Sequence, residues 1–372
     1  MGRNVSASGV SAQEAPSSTT TTVKPAIRFA GGMVPNWSFV NLGDPSYGIN
    51  IETDENMRLV GDVTIPSVIV CDFSKMKSFG YMFSSQYYME SITLPAGFAK
   101  NAVDCTSMFD NCVELKTIGL PADFASNPAC DMTSCFGSTA LTTWRVLPIE
   151  FFVNHTGSLA YMFAGTAITS DIVLPEGFAS KSLDVSAIIS NGNGTGSITY
   201  NSDFGKAAIN ASGLFMGRRT MTSVVVPNHG WAKLTGSIAN AFQGCSALTS
   251  VVLPAGFGDR VSNMVRLFAQ CTALQSVTFP TGFGTKVAQA FSGASGMFIG
   301  CANLTTINGD LALSANFDLS PCTKLTHDSL MNVLNSIQTV TAKRTLKLGS
   351  TNLAKLTAAE KKVATDKGWT LA

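Results

Sequence analysis

Hydrophobic residues recur along most of this chain at a fixed spacing. The stretch from Phe242 to Phe257 reads F-x2-C-x2-L-x2-V-x-L-P-x2-F, and close copies run from Phe109 to Phe124 and from Phe268 to Phe283. The leading aromatic residue recurs every 26 or 27 residues, apart from one interval of 52 and a last interval of 30. It stands at Phe83, Phe109, Phe136, Phe163, Phe215, Phe242, Phe268 and Phe298. The chain is therefore expected to be organised around a structural repeat.

A proline stands 12 residues after seven of the leading residues, so it repeats with the same period. It occurs at Pro95, Pro121, Pro148, Pro175, Pro227, Pro254 and Pro280. The interval of 52 contains one further, degenerate unit, with Ile189 at the leading position and Asn201 at the proline position. Two independent markers that keep the same phase are hard to obtain by chance.

Each unit predicts one short strand followed by a turn. In the best copy, Leu248, Val251 and Leu253 form the strand pattern, and Pro254 removes a backbone donor and turns the chain out of the sheet. A large apolar anchor follows, which is Phe257 here and Trp231 in another copy. The rest of the unit is expected to return as a short helix or an irregular turn. One unit cannot bury its apolar side alone, so the copies must stack with parallel strands.

The predicted fold is an α/β-type repeat solenoid with a period of 26–27 residues, parallel β-strands on one face and a cap at each end. Its predicted parts are a flexible arm over residues 1–26, a small β-rich cap over 27–74, the repeats over 75–315 and an α+β cap over 316–372. The Ser- and Thr-rich composition of the arm favours either a disordered tail or a segment that becomes ordered when it docks on a larger assembly.

The C-terminal cap contains clear start signals for two helices. Thr326 is the predicted N-cap of the first, and Thr357 opens a capping box at the second. Residues 345–348 and 369–371 have strand character. Caps of this kind shield the last coil of a repeat stack from water.

The F-x2-C-x2-L-x2-I-x-L-P unit resembles the BspA-like class of leucine-rich repeats. The resemblance covers roughly residues 75–315, and the units at Phe136 and Ile189 depart most from the pattern. The tail from Leu348 onwards is also similar to tails of BspA-like proteins from gut Bacteroidetes and their phages. The resemblance implies surface proteins that adhere to cells, matrix or glycans.

The composition excludes several function classes. The formal net charge is +1, only 13% of residues are charged, and no basic cluster carries interleaved aromatic residues, so no nucleic-acid partner is predicted. No apolar run is long enough to span a membrane. A mean hydropathy of +0.22 together with the low charge suggests that a partner or oligomerisation covers part of the surface.

No catalytic or cofactor site is predicted. Cys112, Cys245, Cys271 and Cys301 share one repeat position, where a small buried hydrophobe is wanted, so we expect free core thiols and no metal. The three histidines lie in different regions, and no nucleophile–base arrangement is visible. The protein is therefore not expected to be an enzyme.

Two functions from different classes fit this sequence. The first is a virion structural protein of a bacteriophage, a fibre or surface appendage that uses its N-terminal region to contact other virion proteins and displays the repeats to a host surface protein or glycan. The alternative is a bacterial cell-surface adhesin, and an intracellular scaffold ranks third. A homotrimer would suit a fibre, although no heptad repeat specifies one.

The predicted partner contacts lie on the concave strand face, between the core positions of the strands, or at the loop edge near two tryptophans. The candidate residues are Thr93, Gly119, Trp144, Val173, Val225, Trp231, Val252 and Thr278. Most are small or apolar, so a polar glycan site on the strand face is not obvious, and a protein partner or a contact at the loop edge near Trp144 or Trp231 fits equally well.

Overall fold

The structure is a computed structural model that describes the following parts of the chain: residues 52–53, 59–64, 77–143, 145–168, 172–190, 198–229, 231–287 and 296–372. The predicted arm (1–26) and most of the predicted N-terminal cap (27–74) lie outside the described residues.

Short strands from most repeats pair in parallel, as predicted, whereas the coils led by Phe136 and Phe215 contain no strand in their described residues. Val251 of one repeat pairs with Val277 of the next, which pairs with Ile307, so equivalent positions lie in register. The sole antiparallel pairing in the described chain joins β1 to β2. The strands are β1 (Glu52–Thr53), β2 (Leu59–Thr64), β3 (Tyr88–Thr93), β4 (Thr117–Gly119), β5 (Ile172–Val173), β6 (Ile198–Thr199), β7 (Ser250–Val252), β8 (Ser276–Phe283), β9 (Thr306–Leu311), β10 (Phe317–Asp318), β11 (Arg344–Lys347) and β12 (Trp369–Leu371).

The return segment of most coils consists of tight turns. The amide of Cys112 donates to the carbonyl of Phe109 three residues earlier, while the amide of Phe83 donates to Met108 in the next coil. Amides within a turn thus alternate with amides that bond across coils, which satisfies the backbone without a helix. Within the repeats described up to residue 287, the one helix is α1 (Ile149–Asn154).

The leading phenylalanines form a stack through the centre of the repeats. The ring centroids of Phe215 and Phe242 lie 4.8 Å apart, and those of Phe242 and Phe268 lie 5.1 Å apart, with planes tilted by only 14–16°. A second run of this stack joins Phe83 to Phe163 at spacings of 5.3–5.6 Å. The predicted leading position is therefore confirmed as the core of each coil.

The degenerate unit keeps the same positions with different chemistry. Ile189 is buried where the other coils have phenylalanine. Asn201 replaces the proline, and its side-chain oxygen accepts from the amide of Asp203 while its amide donates to the carbonyl of Phe178. A side-chain turn thus supplies the bend that proline supplies elsewhere.

A polar ladder joins the coils on another side. From Asp104 to Asn263, an Asp, Asn or Ser at each coil accepts from the amide two residues on, and the distance is 2.9 Å from Thr106 to Asp104. Neighbouring members also bond across coils, as Ser78 does to Asp104 at 2.6 Å. The ladder includes Ser78, Asp104, Asp131, Ser158, Asp184, Asn210, Ser237 and Asn263.

Parallel strand pairing is found on the far side of both predicted boundaries. Before residue 75, β2 already pairs in parallel with β3. After residue 315, β10, β11 and β12 form a parallel sheet of three strands. The boundaries at 74/75 and 315/316 therefore do not coincide with the ends of the parallel pairing.

Helices α2 (His327–Ser336), α3 (Gly349–Leu353) and α4 (Ala358–Asp366) complete the C-terminal region. Both predicted caps are present: Thr326 accepts from the amide of Ser329, and Thr357 and Glu360 form a reciprocal capping box. Helix α3 is not among the predicted elements, because the pattern around Gly349 indicates only the exit from a strand.

Helix α2 covers the free edge of β9. The Ser329 hydroxyl accepts from the amide of Ile307 at 3.1 Å, and the Asn332 amide donates to the carbonyl of Gly309 at 2.9 Å. These side chains satisfy backbone groups that a further strand would otherwise take up. The parallel sheet β7–β8–β9 thus ends against a helix.

Candidate binding surface

The strand face presents an outward row, defined here as Thr93, Gly119, Val173, Val225, Val252 and Thr278. Its members lie ten residues after the leading hydrophobe of their coils. Thr93 pairs with Gly119, and Val252 pairs with Thr278. The stacking thus brings together residues that are 26 positions apart in the sequence.

Three valines of the outward row are strongly exposed. The exposed fractions are 62% for Val173, 80% for Val225 and 67% for Val252. Thr93 and Gly119 are exposed as well, and Thr278 is half-buried. Large exposure of apolar side chains in one row is typical of a surface that meets a partner.

A companion row of hydroxyl side chains lies beside the outward row, two residues earlier on the same strands. Because strand residues two apart share a face, these side chains point to the same side as the outward row. Sequence reasoning missed this companion row, although a period of two applied to the strand pattern would have found it. Its described members include Ser91, Thr117, Ser250, Ser276 and Thr306.

The two candidate tryptophans have different outcomes. Trp144 lies outside the described residues. Trp231 is 1% exposed, its indole nitrogen donates to the carbonyl of Pro227 at 2.7 Å, and its ring packs on Phe257 at 5.2 Å. It is a core anchor with no side-chain surface for a partner, so the prediction of a partner contact is wrong for Trp231.

The repeat-position cysteines are buried thiols. The Sγ atoms of Cys112, Cys245, Cys271 and Cys301 each donate to the carbonyl of the preceding coil's leading phenylalanine at 3.0 Å. Burial raises the pKa of Cys112, Cys245 and Cys301 to about 12 and raises that of Cys271 as well. Neutral buried thiols are poor nucleophiles, so these groups serve packing.

All eight cysteines in the described part of the chain are free. The same part contains no group of three or more His, Cys, Asp or Glu residues placed to hold a metal ion. None of the helices described is long and apolar enough to cross a membrane.

A family comparison matches the repeats on sequence. Residues 211–308 and 238–363 match the BspA type Leucine rich repeat region, in six copies. The repeats over residues 211–363 are of the BspA leucine-rich type. The matched BspA-type region runs past residue 315, where Leu319, Cys322 and Leu325 repeat the spacing of the earlier coils and are all buried. The coils from residue 77 to 210 precede it and share its phenylalanine stack and polar ladder.

Solved structures with leucine-rich repeats are similar to this chain at low identity. A leucine-rich repeat protein from Bacteroides ovatus has 16% identity and a TM-score of 0.35, with 87% of this chain and 98% of that chain covered. A leucine rich cell surface protein from Faecalibacterium prausnitzii has 12% identity and a TM-score of 0.33, with 79% and 96% covered. A search of curated proteins found no match.

Proposed function

We propose that this protein is a non-enzymatic binding protein that uses its capped solenoid of BspA-type repeats for attachment. The observation that carries the proposal is the outward row, in which Val173, Val225 and Val252 are strongly exposed at equivalent repeat positions. A rigid array of this kind suits contact with an extended partner surface, because the repeats hold each side chain at a fixed spacing.

We propose that the protein is a structural part of a bacteriophage virion. There the chain would form a fibre or surface appendage, residues 1 to about 70 would contact other virion proteins, and the repeats would face a host surface protein or glycan. The alternative is that the protein is located on a bacterial cell surface. The BspA-type match is compatible with adhesion in either setting.

Mass spectrometry of purified virions and of host membranes from an infected culture tests whether the protein is part of the virion. We expect the chain to be present in virions, with peptides from residues 1–24 recovered. Recovery from host membranes alone, with these N-terminal peptides missing, would reject the virion and favour the adhesin.

Substitution on the outward row tests the attachment surface. We expect Val225→Arg and Val252→Arg to weaken binding of the labelled chain to host cells at least about tenfold, because each places a charge in the apolar centre of the contact. Since both valines are mostly exposed, the melting temperature should change little.

The matched control is Leu183→Arg, which introduces the same charge at a leucine that is 50% exposed and lies outside the strand face. It should bind host cells like the unmodified protein. Equal binding by all three variants would remove the outward row from the proposed function.

A further inference from the structure

A polar groove lies across three successive coils, away from the strand face. Its volume is about 500 Å³. Coil spacing of roughly 4.8 Å gives it a length of roughly 10 Å, the scale of a short oligosaccharide. The lining residues are Met216, Gly217, Arg219, Gln243, Gly244, Ser246, Gln270 and Thr272.

Two glycines create the floor of the groove. Gly217 and Gly244 occupy the same repeat position with φ values of +75° and +76°. Other coils carry Asn111 and Ser138 there, also at positive φ. A Cβ placed on Gly244 would lie 3.6 Å from the Cα of Gly217, in ordinary contact, so a side chain at Gly244 would occupy part of this space. The groove therefore exists because these two neighbouring coils lack a side chain that other coils have.

One wall is a row of polar side chains from three coils. Arg219, Ser246 and Thr272 each lie four residues after the leading phenylalanine. The Ser246 hydroxyl donates to the carbonyl of Arg219, and the Thr272 hydroxyl donates to the carbonyl of Ser246, both at 3.2 Å. Each hydroxyl oxygen thus keeps acceptor capacity for a ligand.

Three further side chains in the groove have unused hydrogen-bonding groups. The Arg219 guanidinium and the Gln243 and Gln270 amides have no hydrogen bond or ion pair with the described part of the chain. Gln270 lies against Gly300, where a Cβ would come within 3.1 Å of its amide atoms, so it marks the end of the groove. Donors and acceptors for a polar ligand are therefore already in place.

The groove has a single charged lining residue, Arg219, and no acidic one. A positive charge with no acidic residue in the same groove attracts and orients anionic partners.

We propose that this groove binds an acidic oligosaccharide, with Arg219 pairing with a carboxylate and Gln243 and Gln270 bonding to sugar hydroxyls. A guanidinium fits a planar carboxylate with two parallel hydrogen bonds. Carboxamides, which both donate and accept, match hydroxyl groups, which do the same.

The backbone of the groove favours a sugar over an extended peptide. The amide of Gly217 donates to Gln243 and that of Gly244 to Ala269, at 2.7 and 2.8 Å. These floor amides are already used between coils, so a peptide could not add to the floor as a further strand. Recognition must therefore come from side chains, which suits a ligand whose own polar groups are hydroxyls and a carboxylate.

This site deepens the proposed attachment function but rests on separate residues. The groove is lined by the turns after the leading phenylalanines, whereas the outward row lies on the strands. Loss of host-cell binding in the Val225 and Val252 variants with intact oligosaccharide binding would separate the two surfaces, as would the reverse.

Calorimetric titration of the full chain tests the groove with two pairs of probes at millimolar concentration. The first pair is tri-galacturonate and its methyl ester, and the second is sialyllactose and lactose. We expect binding of at least one acidic probe and at least about tenfold weaker binding of its neutral counterpart. Absence of binding by both acidic probes, or equal binding of the neutral ones, overturns the proposal.

Two variants localise the ligand. Arg219→Gln should reduce the affinity for the acidic probe at least about tenfold while leaving that for the neutral probe unchanged. Gly244→Asn should abolish binding of both by filling the floor, in a backbone conformation that Asn111 already adopts in another coil. Unchanged binding by either variant would reject the groove as the site.

Matched controls exclude general effects of charge and strain. Lys233→Gln removes one exposed positive charge outside the groove, and Gly165→Asn makes the glycine change at the same repeat position of a distant coil. Both should bind like the unmodified protein. Stronger binding of a tri-glutamate peptide than of the two acidic sugars would assign the groove to an acidic peptide and overturn the oligosaccharide.

Discussion

Replacing Phe242 with alanine is expected to lower the free energy of unfolding by about 3–5 kcal/mol, the usual cost of a buried Phe→Ala change. Phe242 is fully buried and lies between Phe215 and Phe268 in the aromatic stack. Its removal opens a cavity and also takes away two ring contacts. Neighbouring coils cannot close the gap because their backbones are fixed by hydrogen bonds on both sides, such as those of Phe242 and Gly244.

Urea unfolding followed by circular dichroism measures this loss. Tyr161→Ala is the control, since it removes an aromatic ring that is 40% exposed, and should cost much less. Because each coil contacts only its neighbours, the Phe242 variant should also unfold less cooperatively, with one half of the stack lost before the other. A loss below about 1 kcal/mol would contradict the central role given to the stack.

Lowering the pH from 6.5 to 4 is expected to reduce the free energy of unfolding by about 3 kcal/mol through the protonation of His155 alone. Both ring nitrogens of this fully buried side chain lack a hydrogen-bond partner in the described structure, and Phe151 packs on the ring at 4.8 Å. Burial lowers the pKa of His155 to about 4. The unfolded chain therefore takes up a proton near pH 6.5 that the folded protein does not accept until near pH 4.

The sign of this effect is fixed by the direction of the pKa shift. Between those pH values the unfolded state binds more protons, so stability falls with falling pH, by up to about 1.4 kcal/mol per pH unit. Above pH 7 the histidine is neutral in both states and contributes no pH dependence. Chemical denaturation at a series of pH values measures the slope.

His155→Leu should remove this part of the acid sensitivity. Leucine is expected to fit because the equivalent segment of another coil has it. The sequence H-T-G-S at His155–Ser158 corresponds to L-T-G-S at Leu234–Ser237, where Leu234 is fully buried. The control is His327→Gln: this exposed imidazole bonds to Glu360, which raises its pKa, so its small contribution favours the folded protein at low pH. An identical pH slope for the His155→Leu variant and the unmodified protein would refute the assignment.

The period, the strand positions and the helix caps were predictable because each depends on residues close in sequence. A leading phenylalanine and a proline 12 residues later define one coil, and Thr357 with Glu360 defines a helix start. Local physical chemistry decides these features, and the repeat then multiplies the signal across the chain.

Features that depend on contacts between coils were harder to predict. Trp231 could be interpreted as an anchor or as a surface contact, and only its depth in the stack decides between them. The floor glycines of the groove occupy a variable repeat position, and their meaning appears once Gly217 and Gly244 become neighbours. Helix α3 was missed because the buried Asn352 amide that ties it to the preceding coil bonds to Leu319 and Cys322, about 30 residues away.

Helix α2 covers β9, so the sheet of the repeats ends at this strand. The number of repeats before β9 could therefore change without changing how the sheet ends. Duplication or deletion of one unit inside the repeats would leave Ser329 and Asn332 in contact with the last strand. The reach of the protein could then evolve in steps of about 5 Å, the spacing of paired strands, without exposing an edge that would recruit further chains.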